Sequence, residues 1–458
     1  TGGRKLTIFF DDISMPEVNE WRDQPTLEIV RQVVEFDAFA FLDKDKRGEM
    51  KIIEDTQYVG AMGHPGGGRN DIPNRLKRQF LLFNVTLPAI SSIDDMFGQM
   101  LRGRFPKDGE GWDRGTLATV KKLTQATIDL HQKVKAKMLP TPAKFHYIFN
   151  LRDLSRVFQG LLLTPLNTIR TGGSKCPTDD KSLTLVMCWR HECERVFCDK
   201  LTNDVDKAWY VEASMGQLME SFPEVGKKVE GPTMSFVDFW REDQFDEDGV
   251  LTELAPKIYE PGGAMSDIKE RVLYFMQRHN NAVKAGQLNL VLFDDALGHL
   301  LRISRILGVP RGSCLLVGVG GSGKQSLTRL CAYIARHTVF QITLTKTYNV
   351  TSLLDDIREL YKLAGPGQKK VTFLITDSEI KDERFLLYFN SILMTGDIGG
   401  LFAKEEIMGM CADLQAKFEA DRPHLHPTPD NLRQFFIDTV RDNLHLVLCM
   451  SPANPLFP

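Results

Sequence analysis

The sequence has no apolar run long enough to cross a bilayer, no visible secretion signal and no low-complexity tract. It also lacks an excess of charge of either sign, because 57 lysines and arginines stand against 60 aspartates and glutamates. These features give no reason to expect a membrane or a nucleic acid as a partner. The first residue is Thr1 rather than methionine, which favours a piece of a longer protein.

Cysteine is sparse and scattered, which indicates a reduced, intracellular protein rather than a disulfide framework. Four metal-type residues nevertheless share one predicted helix over residues 183–201: Cys188, His191, Cys193 and Cys198. Zinc requires four ligands that converge tetrahedrally, and one straight helix cannot direct all four at a single point. Packing in the core is therefore favoured over a zinc site.

The most specific motif is a glycine-rich loop between an apolar strand at 314–317 and a helical segment at 327–334. Its backbone N–H groups can surround a phosphate, and Lys324 can reach the outer phosphates. The next position, where Ser or Thr normally offers Mg²⁺ a hydroxyl, is Gln325. The residues predicted to bind nucleotide are Gly318, Val319, Gly320, Gly321, Ser322, Gly323, Lys324, Gln325 and Ser326.

Carboxylates follow two of the predicted strands. Asp11 and Asp12 come after the strand at 6–10, and Asp377 comes after the strand at 371–375. In P-loop ATPases the first such aspartate is associated with Mg²⁺, and the next acid polarises the attacking water. In the second copy that next position is Ser378, and we expect Glu379 to point to the opposite face of the strand. The chain thus repeats one plan, strand and acid, helix, strand, loop, at 6–63 and at 371–452.

The remaining elements are predicted from apolar periodicity and breakers. Asn150 is a predicted N-cap. Further strands are expected at 56–62 and 445–450, and helices at 25–36, 115–139, 151–163, 265–283, 290–307, 352–363 and 385–394. Residues 43–54 have the spacing of a calcium loop, but Arg47 occupies a position that needs an oxygen ligand, so a charged hairpin tip is favoured.

Together these motifs resemble the motor ring of dynein heavy chains, specifically the axonemal type and more particularly the outer-arm group. The resemblance covers nearly the whole chain. It depends most on residues 9–16, 65–70, 149–155, 189–193 and 310–327.

The resemblance implies a role for several residues in a ring of six AAA+ modules. Asp11 and Asp12 match the acids of the third nucleotide site, and Asp377 matches the metal-associated aspartate of the fourth. Ser451 matches the sensor position of the fourth module. Gly63 stands where other modules have a sensor asparagine, and the family pattern breaks after Pro452. The arginines with implied catalytic roles are Arg75 or Arg78, as the finger offered to a neighbouring site, and Arg152, as a sensor in the helical small domain.

The implied fold class is α/β, with AAA+ P-loop large domains, each a parallel sheet flanked by helices, and a helical small domain. Residues 1–110 are expected to be the second half of the third large domain, and residues 111–215 its small domain. Residues 216–289 are expected to form a linker and the start of the fourth module. Residues 290–458 are expected to be an incomplete fourth large domain.

The resemblance further implies that the parent is an ATP-driven microtubule motor of the axoneme, in the cytoplasm and cytoskeleton of cilia and flagella. This segment would contribute regulatory sites for ATP or ADP with Mg²⁺. The alternative is a nucleotide-locked structural module without hydrolysis. The implied partners are other AAA+ modules of the same heavy chain and, through the parent, intermediate chains, light chains and microtubules. Whether the segment itself is an enzyme stays open.

Overall fold

The computed structural model describes residues 5–41, 43–65, 70–86, 88–105, 114–144, 146–163, 180–229, 231–245, 251–283 and 286–452. The chain divides into two units, Thr1–Ala89 and Ile90–Pro458, and each is described by itself. None of the helices in these ranges combines the length and apolarity that a bilayer crossing requires. The glycine-rich stretch at 66–69, on which part of the resemblance rests, lies outside the described residues.

The first unit is built around two parallel strands, β1 and β4, paired from Leu6↔Thr56 to Phe10↔Gly60. Between them the chain forms a helix and an antiparallel hairpin. In order, the elements are β1 (Leu6–Phe10), α1 (Pro25–Phe36), β2 (Ala38–Ala40), a 3₁₀ turn (Lys44–Lys46), β3 (Met50–Ile52), β4 (Thr56–Gly60) and α2 (Asn74–Lys77). The 3₁₀ turn is the tip of the β2–β3 hairpin, which confirms the hairpin interpretation of residues 43–54.

The first part of the second unit is a helical bundle. Its elements are α3 (Ile90–Ile93), a π-helical turn (Asp94–Gly98), α4 (Gln99–Arg104), α5 (Arg114–Lys137), a 3₁₀ turn (Pro142–Lys144), α6 (Leu151–Leu163), α7 (Lys181–Cys193), a second π-helical turn (Glu194–Cys198), α8 (Asp204–Ser221) and α9 (Pro223–Gly226). Asn150 caps α6 as predicted, because its side-chain oxygen accepts from the Arg152 N–H at 2.9 Å.

Two sequence predictions about this bundle need correction. The helix expected to run through residue 201 changes to a π-helical turn after Cys193 and ends at Cys198. Helix α8 was not predicted, and residue 215, the expected end of the small domain, lies inside it. The cysteines of α7 do pack in the core as favoured, since Cys188 and Cys193 are buried beside Trp189 and Phe197.

Two short antiparallel ribbons follow where a linker was expected. They are formed by β5 (Phe236–Val237) with β8 (Glu260–Pro261), and by β6 (Gln244–Phe245) with β7 (Leu251–Glu253). Successive side chains of a strand point to opposite faces. Accordingly Phe236 belongs to the core of the helical bundle and Val237 to the core around the P-loop. This stretch therefore joins two packed cores through its own buried side chains.

The last part of the second unit is a four-stranded parallel sheet flanked by helices. Its elements are α10 (Met265–Ala282), α11 (Asp294–Gly308), β9 (Cys314–Val317), α12 (Lys324–Ala335), β10 (Thr338–Gln341), α13 (Val350–Ala364), β11 (Val371–Thr376), a 3₁₀ turn (Asp377–Glu379), α14 (Arg384–Met394), α15 (Lys404–Asp413), α16 (Gln415–Asp421), α17 (Pro429–Asn443) and β12 (Leu444–Met450). The strand order is β10-β11-β12-β9. All six residues of β11 are buried, as expected for a central parallel strand covered on both faces.

The helix predicted at 290–307 begins four residues later than expected. Residues 290–293 form no helix or strand, with Leu292 buried while Val291 and Phe293 are exposed. Burial alternates here as it does in a strand. The sequence does not show this alternation, because all four residues are apolar. Asp294 and Asp295 then occupy the first turn of α11, where carboxylates stabilise the helix N-terminus.

A buried ion pair links the helical bundle to α11. The Glu192 carboxylate of α7 is fully buried and accepts from the Arg305 guanidinium of α11 and from the Tyr259 hydroxyl. Gly160 of α6 lies against it so closely that a Cβ there would stand 1.8 Å from Glu192 Oε2. One carboxylate thus joins three elements of the second unit.

Candidate nucleotide site

The parallel sheet brings the P-loop, the predicted acid Asp377 and the predicted sensor Ser451 to one edge. Strand β9 leads into the P-loop and pairs with β12, and β12 pairs with β11. Since the carboxyl ends of parallel strands meet at the same edge, residues 318–326, Asp377 and Ser451 converge there. The Gly318 N–H donates to the Met450 carbonyl at 3.1 Å, which ties the start of the loop to the end of β12.

Two glycines of the loop adopt the positive φ angles that a phosphate-binding loop requires. Gly321 and Gly323 have φ values of 79° and 78°, in the left-handed region where other residues are strained. Gly320 has open space where a Cβ would be. Gly323 is also the residue before the first turn of α12, so N–H groups of the helix start face the loop. The arrangement can hold a phosphate through backbone donors.

Lys324 lies over the loop. Its ammonium donates to the Gly318 carbonyl at 2.5 Å, to the Val319 carbonyl at 2.9 Å and to the Ser322 hydroxyl at 3.3 Å. The side chain is therefore folded into the concave side of the loop, where a phosphate oxygen would compete for its protons.

Asp377 is held by the neighbouring strand end. Its Oδ2 accepts from the Ser451 N–H at 3.1 Å, and its Oδ1 accepts from the Ser378 N–H at 2.9 Å. Hydrogen bonds from Ser451 hold the pKa of Asp377 below its ordinary value, and the charge of Lys324 adds to this effect. Asp377 is thus an exposed anion beside the loop lysine, where the sequence predicted it.

Glu379 does not point away along a strand, as the sequence analysis expected, because β11 ends at Thr376 and a 3₁₀ turn follows. Its carboxylate turns back and accepts from the Thr376 N–H at 2.7 Å and from the Gln341 amide at 2.7 Å. Gln341 in turn accepts from Arg329 of α12. The buried Glu379 side chain is therefore part of the support beneath the site.

The sequence contained the signal for this arrangement. Thr376 and Glu379 have the spacing of a capping box, in which the first hydroxyl and the later carboxylate satisfy each other's backbone N–H groups. The roles of Gln341 and Arg329 had no such signal, since they reach Glu379 from another strand and another helix. Leu290 was also missed. Its Cδ2 would lie 3.8 Å from a Cβ on Gly323, so the segment before α11 passes the P-loop.

The predicted residues of the first copy lie in the other unit. Asp11 and Asp12 are exposed directly after β1, and the Asp12 N–H donates to Asp11 Oδ1 at 3.1 Å. Arg75 pairs with Glu28 at 2.8 Å, and Arg78 pairs with Glu35 at 3.2 Å. The two acids are placed at a strand end as Asp377 is, whereas both arginines are engaged by carboxylates of their own unit.

Arg152, the predicted sensor, belongs to the second unit. It lies in the first turn of α6 with an exposed side chain. The contacts of its guanidinium with a nucleotide site are not defined within that unit, so its role and those of Arg75 and Arg78 stay predictions.

Comparison with known proteins agrees with this architecture. Residues 288–458 match the family described as the P-loop containing dynein motor region D4, and residues 1–88 match the P-loop containing dynein motor region. Residues 123–231 match the AAA+ lid domain. These matches cover both copies of the repeated plan and most of the helical bundle between them.

The chain is also similar to whole dynein heavy chains. It is 45% identical to dynein axonemal heavy chain 5 of Rattus norvegicus over 99% of the chain, and to dynein axonemal heavy chain 8 of Homo sapiens over 100%. It is 45% identical to the dynein gamma chain of the flagellar outer arm of Chlamydomonas reinhardtii, again over 100% of the chain. The chain spans only 13%, 10% and 10% of these three relatives.

Proposed function

Since the chain belongs to the axonemal dynein heavy chain family and carries P-loop AAA+ modules, we propose that it supplies regulatory nucleotide-binding modules to a microtubule motor of cilia and flagella. Residues 1–89 would contribute the acids of one site, and residues 288–452 the P-loop of the next. The parent would hydrolyse ATP to move along microtubules in the axoneme. Its partners would be other modules of the same heavy chain and the intermediate and light chains.

The convergence of Lys324, Asp377 and Ser451 around the P-loop carries this proposal. A glycine turn with only a structural role has no need of a lysine over its carbonyls or of an acid on the adjacent strand. The loop donors, the start of α12 and the ammonium together supply positive potential where the phosphates of ATP or ADP would sit. Nucleotide binding is the chemistry that uses all of these groups.

The same geometry favours binding over rapid hydrolysis at this site. Hydrolysis needs a group that positions or deprotonates water in line with the outer phosphate. Ser378 stands at that position, and its hydroxyl is 3.0 Å from the Thr376 hydroxyl. Glu379 is the nearest alternative, but it is committed to Thr376 and Gln341. This supports the second candidate function, a module that holds nucleotide and does not turn it over.

Magnesium accompanies nucleotides at most P-loop sites, and Asp377 is the side chain that would face it here. Asp11 and Asp12 would do so at the first-copy site. The hydroxyl that normally completes the metal's surroundings is replaced by Gln325 in the P-loop copy. No catalytic step is therefore assigned to the metal.

Substitution of the P-loop lysine tests the proposal. Titration of the 458-residue chain with a fluorescent ADP analogue should show one saturable site. Lys324→Ala should remove it, with affinity falling at least about a hundredfold, because the loop loses the ammonium that faces the phosphates. Lys404→Ala, at the exposed start of α15, is the matched control and should bind as the parent sequence does. Binding that survives Lys324→Ala would overturn the proposal.

A further inference from the structure

The groups around the P-loop match a nucleotide better than they match its usual metal. Mg²⁺ in nucleotide sites is held by phosphate oxygens, waters and one or two protein oxygens, most often carboxylate or hydroxyl. In the described residues, no cluster of three or more His, Cys, Asp or Glu side chains could hold a metal ion. The possible Mg²⁺ ligands are therefore the side-chain oxygens at the edge of the sheet where the P-loop lies.

The position after Lys324 offers an amide in place of a hydroxyl. Gln325 is exposed in the first turn of α12. Its amide oxygen carries no charge and sits at the end of a side chain with several rotatable bonds, so holding it on a metal costs more conformational entropy than holding Ser or Thr. The next hydroxyl, Ser326, lies one residue on, about 100° further round the helix, and so faces a different direction.

The other oxygens at this edge already take part in hydrogen bonds. Both oxygens of Asp377 accept backbone N–H groups, from Ser378 and Ser451. The Ser378 hydroxyl lies against that of Thr376, and the Glu379 carboxylate is buried in its capping contacts. Asp377 is exposed, and each of its oxygens keeps a lone pair beyond the one that accepts a backbone N–H.

The phosphate-binding groups, in contrast, are complete. The loop supplies backbone N–H groups, the left-handed glycines give it the required curvature, and Lys324 is already turned into it. These groups interact with the phosphates directly and need no cation as an intermediary.

We propose that the P-loop site of this chain binds ADP or ATP with little dependence on Mg²⁺, because position 325 lacks the hydroxyl of Ser or Thr. The inference rests on the proposed nucleotide-binding function and specifies its cofactor requirement. It would let the module keep its nucleotide through changes in free Mg²⁺, as a regulatory or structural site requires.

Affinity measured with and without the metal tests this. The 458-residue chain is titrated with a fluorescent ADP analogue in excess Mg²⁺ and again in EDTA. The two dissociation constants should agree within about threefold. Gln325→Thr restores the hydroxyl and should make binding about tenfold tighter in Mg²⁺ than in EDTA, whereas Gln325→Ala, the matched control, should stay as insensitive as the parent sequence.

The outcomes separate the two proposals. If affinity that requires Lys324 falls tenfold or more in EDTA, only the metal inference is overturned. If Gln325→Thr gains no sensitivity to Mg²⁺ while its melting temperature matches that of the unsubstituted chain, the missing hydroxyl at position 325 is not the cause. If binding does not depend on Lys324, the proposed function fails first.

Discussion

At the scale of single residues, we expect Ser378 to limit hydrolysis at the proposed P-loop site. Ser378→Glu places a carboxylate at an exposed position next to Asp377, where it can polarise water. We expect hydrolysis at this site to rise by about a hundredfold in the full-length motor whose other P-loop lysines are replaced, measured as phosphate release. Ser378→Gln adds the same bulk without a base and should leave the rate unchanged. A starting protein that already hydrolyses ATP at this site, with no gain from glutamate, would contradict the argument.

Position 160 requires glycine because the buried Glu192 carboxylate leaves no room for a side chain there, and not because of its backbone conformation. A Cβ on this residue would stand 1.8 Å from the buried Glu192 carboxylate, which is itself fixed by Arg305 and Tyr259. Gly160→Ala should therefore lower the free energy of unfolding by about 3 kcal/mol, since the ion pair must shift to make room. Urea denaturation measures the change.

Gly216→Ala is the matched control for this substitution. It lies in α8 with nothing within 4 Å of an added Cβ, so it should be neutral or should stabilise by up to about 1 kcal/mol. Equal effects of the two substitutions would show that Gly160 matters only for helix propensity.

At the scale of elements, two buried histidines make the sheet sensitive to acid. His337, just before β10, and His445, in β12, stack with ring centroids 4.6 Å apart. Burial is the largest cause that lowers the pKa of both histidines, that of His337 to about 3. The charges of His445, Lys370 and Lys257 lower the pKa of His337 further. His337 also bonds with the Thr372 hydroxyl. His445 bonds with the Gly312 carbonyl, which acts to raise the pKa of His445, but burial outweighs this bond, so both rings are neutral at pH 7.

The sign of the pH dependence follows from the lowered pKa values. An unfolded histidine takes up a proton near pH 6.5, while the folded one does not until far lower, so stability is complete above 6.5 and is lost as pH falls. Between pH 7 and pH 5 we expect His337 alone to account for roughly 2 kcal/mol. His337→Gln should reduce the acid-induced loss by that amount, measured by urea denaturation at both pH values. An unchanged loss would contradict a neutral buried His337.

At the scale of the whole molecule, the two units differ in how much core they bury. The core cluster of the first unit's described residues consists of Ile13, Leu27, Ile72 and Leu76 with a few partly buried neighbours. The second unit has three larger clusters. Small cores stabilise weakly because less apolar surface leaves water.

Hydrogen exchange should reveal this difference. In the 458-residue chain, backbone amides of β1 and β4 should exchange at least about a hundredfold faster than those of β11 and β12, each corrected for its rate in the unfolded chain. Mass spectrometry of peptides from the four strands gives the comparison. Equal protection would show that the first unit is stabilised by more than its described core.

Local patterns in the sequence determined the chemistry of the P-loop and much of the secondary structure. The glycines, Lys324 and the helix after them form a continuous segment, so their spacing alone defines the loop. The strand before Asp377 and the strand before Asp11 were predicted for the same reason, because an apolar run followed by an acid is a local feature. The capping spacing of Thr376 and Glu379 was also present and could have corrected the expected direction of Glu379.

Only the tertiary structure decided which distant groups meet. The contact of Ser451 with Asp377, the support of Glu379 by Gln341, and the joining of α7 to α11 through Glu192 and Arg305 each connect residues on different elements. The change to a π-helical turn after Cys193 and the late start of α11 likewise depend on packing that apolar periodicity does not contain. Sequence patterns predict the secondary structure of one continuous segment. The hydrogen bonds and the pKa of a carboxylate depend instead on the side chains that folding brings against it.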